Sequence, residues 1–235
     1  MRLREVTETG YVTVNKRLNP KIWQDNQLNL EVSDKLKEIA KAFLEFVGIE
    51  LNVVDLTVTG SNANYTWTKH SDLDLHVVVA GDISDEAREL FSAKKALWGE
   101  QHDITIKGLP VECYIQGQNE PHHSTGVFSI LKSEWVTEPK KIKPRIDDSA
   151  VAAKLDGLTH EAQSALEKDN LENLMRVKDK ITTMRKAGLE RAGEWSVENL
   201  VFKQLRNLGL IDDLTDRIRE LEDQQLSLEQ TQELI

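Results

Sequence analysis

Thr59-Gly60-Ser61-Asn62-Ala63-Asn64-Tyr65-Thr66-Trp67-Thr68-Lys69-His70-Ser71-Asp72-Leu73-Asp74-Leu75-His76-Val77-Val78-Val79 is the stretch on which the reading of the chain turns. A Gly-Ser pair follows one apolar run, and two aspartates one residue apart enter a second. Side chains alternate faces along a strand, so Asp72 and Asp74 share one face while Leu73, Leu75 and Val77 share the other. Two like charges side by side repel and are costly to desolvate. A divalent cation removes that conflict, and ligation by oxygen alone suits Mg²⁺ or Mn²⁺ rather than zinc.

Upstream, Val53 to Thr59 is rich in β-branched residues and reads as a central strand delivering the chain to Gly60-Ser61. Glycine permits close backbone approach, and turn amides with the serine hydroxyl can hold a phosphate. The alternative is an ordinary turn capped by Ser61. Before it, Val32, Leu36, Ile39, Ala40, Phe43, Leu44 and Val47 recur at helical spacing, with Ser33 as N-cap and Gly48 as stop. Asn19-Pro20 reads as a turn, and Tyr11 to Val14 as a short strand. Downstream, Asp85 to Trp98 reads as a helix with Ala87, Leu90, Phe91, Lys94 and Leu97 near one face. Asp103 to Ile106 and Val111 to Ile115 read as strands joined by a turn at Lys107-Gly108-Leu109-Pro110. Glu112, Tyr114 and Gln116 share one face of the second strand. Glu112 is either a functional carboxylate or a device that keeps an edge strand solvated.

Gly-Ser, Ser-Asp-x-Asp and a carboxylate on a later strand together resemble the signature of the DNA polymerase β-like nucleotidyltransferase superfamily, with a fainter likeness to its phage-encoded members. The likeness covers about residues 30–120. It implies an α+β fold with a central mixed sheet. It also implies transfer of a nucleotidyl group from a nucleoside triphosphate such as ATP to a hydroxyl, with release of pyrophosphate. Asp72, Asp74 and Glu112 are then the catalytic, metal-binding residues for Mg²⁺ or Mn²⁺. Gly60, Ser61, Ser71 and Lys69 are the nucleotide-binding residues. Lys69 is otherwise a solvated loop lysine. Tyr65 and Trp67 either stack on a base or simply pack. His122 and His123 lack the spacing of a zinc site and lie in a loop.

From Ser149 onward the pattern is helical: Val151 to Lys168, Leu171 to Ala192, Val197 to Leu208 and Asp212 to Leu226, with Ser196 capping the third and Gly209 stopping it. This predicts a C-terminal helical bundle packed on the catalytic domain. The basic, proline-bounded segment from Glu138 to Arg145 reads as the linker, so the domains are 1–145 and 146–235. A net charge of -10 and a pI near 5.2 argue against a broad nucleic-acid surface. Local basic charge remains at Lys140, Lys141, Lys143 and Arg145, and along the second C-terminal helix at Arg176, Lys178, Lys180, Arg185 and Arg191. Acidic Asp169, Glu172, Asp179 and Glu190 interleave that helix. Cys113 is the only cysteine, which excludes an internal disulfide and suits a reducing, cytoplasmic setting. No signal-peptide core stands at the start, and no run approaches the roughly 20 apolar residues of a membrane span.

Three functions fit these residues: an active metal-dependent nucleotidyltransferase, a nucleotide- or RNA-binding module without turnover, and an interaction protein whose Asp-x-Asp is a solvated strand end. For the enzyme the favoured acceptor is an RNA 3′ end, with a protein hydroxyl or a small molecule as the alternative.

Overall fold

The computed structural model describes residues 14–69, 71–121, 124–141 and 146–227. These fall into two compact units that divide at residues 143 and 144.

The first unit opens with a small hairpin, β1 (Trp23–Gln24) and β2 (Gln27–Leu28), turned by Asp25 and Asn26 at φ 49° and 61°. Helix α1 (Leu30–Val47) follows. Its cap is Asn29, whose side chain accepts from the Glu31 N–H, and Gly48 ends it in the left-handed conformation at φ 73°. The predicted cap, Ser33, is instead buried within the first turns, because Asn29 starts the helix earlier. Then come β3 (Val53–Thr59), β4 (Leu73–Val79), α2 (Asp85–Gln101), β5 (Thr105–Ile106), β6 (Leu109–Gly117), β7 (Val127–Ser129) and β8 (Glu134–Thr137). Of the predicted strand at residues 11–14, Tyr11, Val12 and Thr13 lie outside the described residues, and Val14 is not in a strand. The Lys107–Gly108 turn forms with both residues at positive φ, while Leu109 and Pro110 already belong to β6.

The six strands form one mixed sheet in the order β5-β6-β4-β3-β7-β8. Only the β4–β6 pair is parallel. Parallel neighbours need a crossover, and α2 supplies it. The period-two pattern sorts the faces. Leu73, Leu75 and Val77 are fully buried in one cluster with Leu36 and Phe43 of α1, while Asp72, Asp74 and His76 are half-buried on the other face. Helix α2 buries Phe91 and Trp98, and leaves Leu90 and Leu97 exposed. Its inward face is therefore rotated from the predicted stripe. The cause is aromatic packing, since the Trp98 ring lies 5.7 Å from Phe43 and 5.2 Å from Phe46.

The second unit is all helical: α3 (Asp148–Lys168), α4 (Leu171–Ala192), α5 (Val197–Asn207) and α6 (Leu210–Leu226). Asp147, Asn170 and Ser196 cap the first three through their side chains. Gly209, at φ 80°, both follows α5 and opens α6. One apolar stripe from each helix joins a common core, including Leu155, Val177, Leu205 and Leu214. The fold is thus a mixed-sheet α+β unit followed by a C-terminal helical bundle. No helix among the described residues is long and apolar enough to cross a membrane.

Candidate active site

The end of β3, the turn after it and the start of β4 make one piece. In the antiparallel ladder Thr59 is the partner of Asp74, so Gly60 lies against the Asp74 side chain. Gly60 adopts φ 70° and ψ -160°, a region essentially reserved for glycine. A Cβ built on it would lie 1.8 Å from Asp74 Oδ2. Both the backbone conformation and the approach of the carboxylate therefore require glycine there.

Ser61 opens a short 3₁₀ turn, Ser61–Ala63. Its hydroxyl donates to Ser71 Oγ at 2.9 Å, and Ser71 Oγ also accepts from the Thr68 N–H at 2.9 Å. Two of the predicted phosphate-side residues, ten apart in sequence, are thus joined directly. Lys69 is exposed. Asn62, which sequence reasoning passed over as a loop residue, is completely buried. Its Nδ2 donates to the carbonyls of Asp72 at 2.7 Å and Ser71 at 3.3 Å, and its Oδ1 accepts from Asn19 at 2.7 Å. Trp23 Nε1 donates to the Asn62 carbonyl at 2.6 Å. From the far side, the Gly60 N–H donates to Ser124 Oγ at 3.1 Å. A buried amide that joins two backbone segments leaves no sequence signal beyond its closeness to Gly-Ser.

The parallel β4–β6 register places Glu112 directly beside Asp74 and Tyr114 beside His76. Glu112 thus shares the sheet face of Asp72 and Asp74, although 38 residues separate it from Asp74 in the chain. Glu112 Oε2 accepts from Lys95 Nζ of α2 at 2.7 Å and from the Tyr114 hydroxyl at 2.6 Å. The Lys95 ammonium also lies 3.6 Å from the centre of the Tyr114 ring. His76 stacks on that ring at 4.6 Å, and its Nδ1 is 2.7 Å from Gln116 Oε1. Burial first, then the negative charges of Asp74, Glu112 and Asp72, push the Tyr114 hydroxyl far above its usual range. It stays protonated as a donor. Burial likewise pushes the Cys113 thiol, on the opposite face, up to about 12.

The three carboxylates offer oxygen alone, the donor set of a hard divalent cation. In kind they fit Mg²⁺ or Mn²⁺. Among the described residues, however, no three His, Cys, Asp or Glu side chains are gathered closely enough to hold a metal ion. Beside the carboxylates runs a groove of about 460 Å³, lined by Thr59, His76, Arg88, Tyr114, Gln116 and Glu120, with Arg88 and Glu120 paired at 2.8 Å.

Tyr65 is half-buried against the core, and Trp67 Nε1 donates to the Arg17 carbonyl. Both have packing roles. His122 and His123 lie outside the described residues.

A mixed sheet with Gly-Ser at the end of one strand and Asp-x-Asp at the start of the next is the architecture of a polymerase β-like nucleotidyltransferase. Residues 36–146 match the model of the nucleotidyltransferase domain family. No curated protein matches the chain. Among solved structures, a STING-associated CdnE c-di-GMP synthase from Capnocytophaga granulosa shares 13% identity over 84% of each chain, with a TM-score of 0.23. Spectinomycin adenyltransferase AAD(9) from Enterococcus faecialis, solved with ATP and spectinomycin, shares 14% identity over 83% of this chain and 100% of its own, with a TM-score of 0.24. Likeness at that level says nothing about the substrate of this chain.

Proposed function

We propose that the protein transfers a nucleotidyl group from a nucleoside triphosphate, ATP among the candidates, to a hydroxyl acceptor and releases pyrophosphate, with residues 1–145 as the catalytic domain and 146–235 as a helical domain. The observation that carries this is the adjacency of Asp74 to both Gly60 and Glu112: the Gly-Ser turn and two carboxylates meet at one end of the sheet. In this reading the Gly60–Ser61 turn and the Ser61 and Ser71 hydroxyls orient the triphosphate. Asp72, Asp74 and Glu112 hold Mg²⁺ or Mn²⁺. When bound, such an ion neutralises charge growing on the attacking and leaving oxygens. Glu112 takes the proton of the acceptor hydroxyl.

For the acceptor, a small molecule or a protein hydroxyl is better supported than an RNA 3′ end. Three of the α4 cations that would steer RNA are paired with carboxylates of the helical unit. Arg176 and Lys180 both bond Glu161, at 3.1 and 2.6 Å, and Arg191 bonds Glu198 at 2.8 Å. The groove, with one cation and one anion paired, has the volume of a small-molecule site.

The test is incubation with each α-labelled triphosphate, Mg²⁺ or Mn²⁺, and cell extract, while pyrophosphate release is followed. Label should pass to one species, and Asp74→Asn should cut transfer by more than about a hundredfold. No labelled species with any triphosphate, or full activity in the Asp74→Asn protein, rejects the proposal. Transfer to RNA that weakens steeply with salt would restore the RNA end as acceptor.

A further inference from the structure

We infer that Lys95 is a positioning residue that competes with the divalent cation for Glu112. The inference rests on the reading that Asp72, Asp74 and Glu112 form the cation site. Lys95 comes from the crossover helix α2, not from the sheet. Its ammonium and the Tyr114 hydroxyl both donate to one oxygen, Glu112 Oε2, at 2.7 and 2.6 Å. The ring of Tyr114, 3.6 Å from Nζ, gives the ammonium a second attraction at the same spot. Those contacts tie the third carboxylate to a charge carried by α2.

The arrangement has a physical logic. Without a counter-charge, carboxylates side by side on neighbouring strands destabilise the sheet face. Lys95 supplies one positive charge and keeps the metal-free protein intact. A cation settling on Glu112 then meets an ammonium already bonded there, and must displace it. The displacement is sterically open. The Lys95 side chain is 31% exposed and Glu112 39%, so a flexible four-carbon stem has solvent to move into. Helix α2 itself stays fixed by the Ser84 cap and by buried Phe91 and Trp98. Only the head of the lysine has to move.

The experiment is Mn²⁺ binding to the full chain without nucleotide, read as free Mn²⁺ by electron paramagnetic resonance. Removing the competitor in Lys95→Met should tighten Mn²⁺ binding by about tenfold, the scale of one hydrogen bond to a charged group. Lys95→Arg, which keeps the charge, should bind as the wild type does. In a Glu112→Gln background the same Lys95→Met change should produce no gain. Equal or weaker Mn²⁺ binding by Lys95→Met overturns the inference. So does a gain that persists with Glu112→Gln, because the effect is then one of general charge. If wild type and Lys95→Met bind Mn²⁺ equally and Asp74→Asn abolishes binding, the cation site stands and the role of Lys95 falls. If none of them binds Mn²⁺, both fall. Should Lys95→Met fail to fold, Lys95→Gln reads the same quantity.

Discussion

Gly60→Ala adds one methyl group at the point where β3, the turn and Asp74 meet. Two effects follow, and they can be separated. At φ 70° and ψ -160° an L-residue is strained by about 1–3 kcal/mol. The new Cβ, 1.8 Å from Asp74 Oδ2, adds a second penalty, because the carboxylate must rotate away from its place beside Glu112. For a chain of this length each kcal/mol lowers the melting temperature by about 2–4 °C, so the backbone strain alone lowers it by about 2–12 °C. The assay is thermal unfolding followed by tryptophan fluorescence, since four of the five tryptophans (Trp23, Trp67, Trp98 and Trp135) lie in the sheet unit. Comparison of Asp74→Ala with the Gly60→Ala/Asp74→Ala double variant isolates the strain, because no carboxylate remains to be struck. The loss should be clearly smaller in that pair than in the wild-type background. A Gly60→Ala protein as stable as wild type refutes the conformation assigned to Gly60. Equal losses in both backgrounds refute the contact with Asp74.

Two further outcomes are expected. Lys154 first, then the residue's own backbone N–H and Arg191, bring the Glu198 carboxyl to about 2 against the opposing effect of burial, with Lys154 at 2.6 Å and Arg191 at 2.8 Å. A carboxyl lowered on folding stabilises fully above its ordinary value of 4.5 and loses that contribution as pH falls toward 2. Glu198→Gln should therefore cost about 1–3 kcal/mol at pH 7 in urea unfolding, with the gap closing in acid; a gap independent of pH refutes the ion-pair origin. Cys113, buried and with its thiol raised to about 12, should resist a thiol-specific chromogenic reagent at pH 8 and react only on unfolding; rapid labelling of the native protein contradicts its placement.

What the sequence made legible follows from how locally each feature is determined. The β-branched run from Val53 to Thr59 and the alternation of apolar and polar residues from Leu73 onward are local features, and both strands form as expected. The helix candidates after Ser149 likewise carry their own caps and stripes. Features set by distant partners were not legible. Strand β7 is three residues long, and Ser129 within it is buried because it donates to Asp55, 74 residues away. The inward face of α2 depends on the aromatic residues of α1. Lys95 reads as one surface charge among several until the crossover brings it to Glu112. Asn62 looks like any loop asparagine, although its burial ties two segments together. The candidacy of Glu112 was visible from a carboxylate inside an apolar strand, but its two donors were not.

The buried amide of Asn62 has a consequence for how this protein can vary. It draws together the two ends of the excursion from Ser61 to Ser71, like a drawstring at the neck of a bag. A loop closed at its neck can lengthen cheaply, at about 0.6 kcal/mol for each doubling. The interval between Gly-Ser and Asp-x-Asp is therefore a tolerance and not a measured distance. Residues added near the exposed Thr68 and Lys69 would hang outside the neck and leave Gly60 against Asp74. Losing the drawstring with the loop length unchanged would let the two ends drift apart.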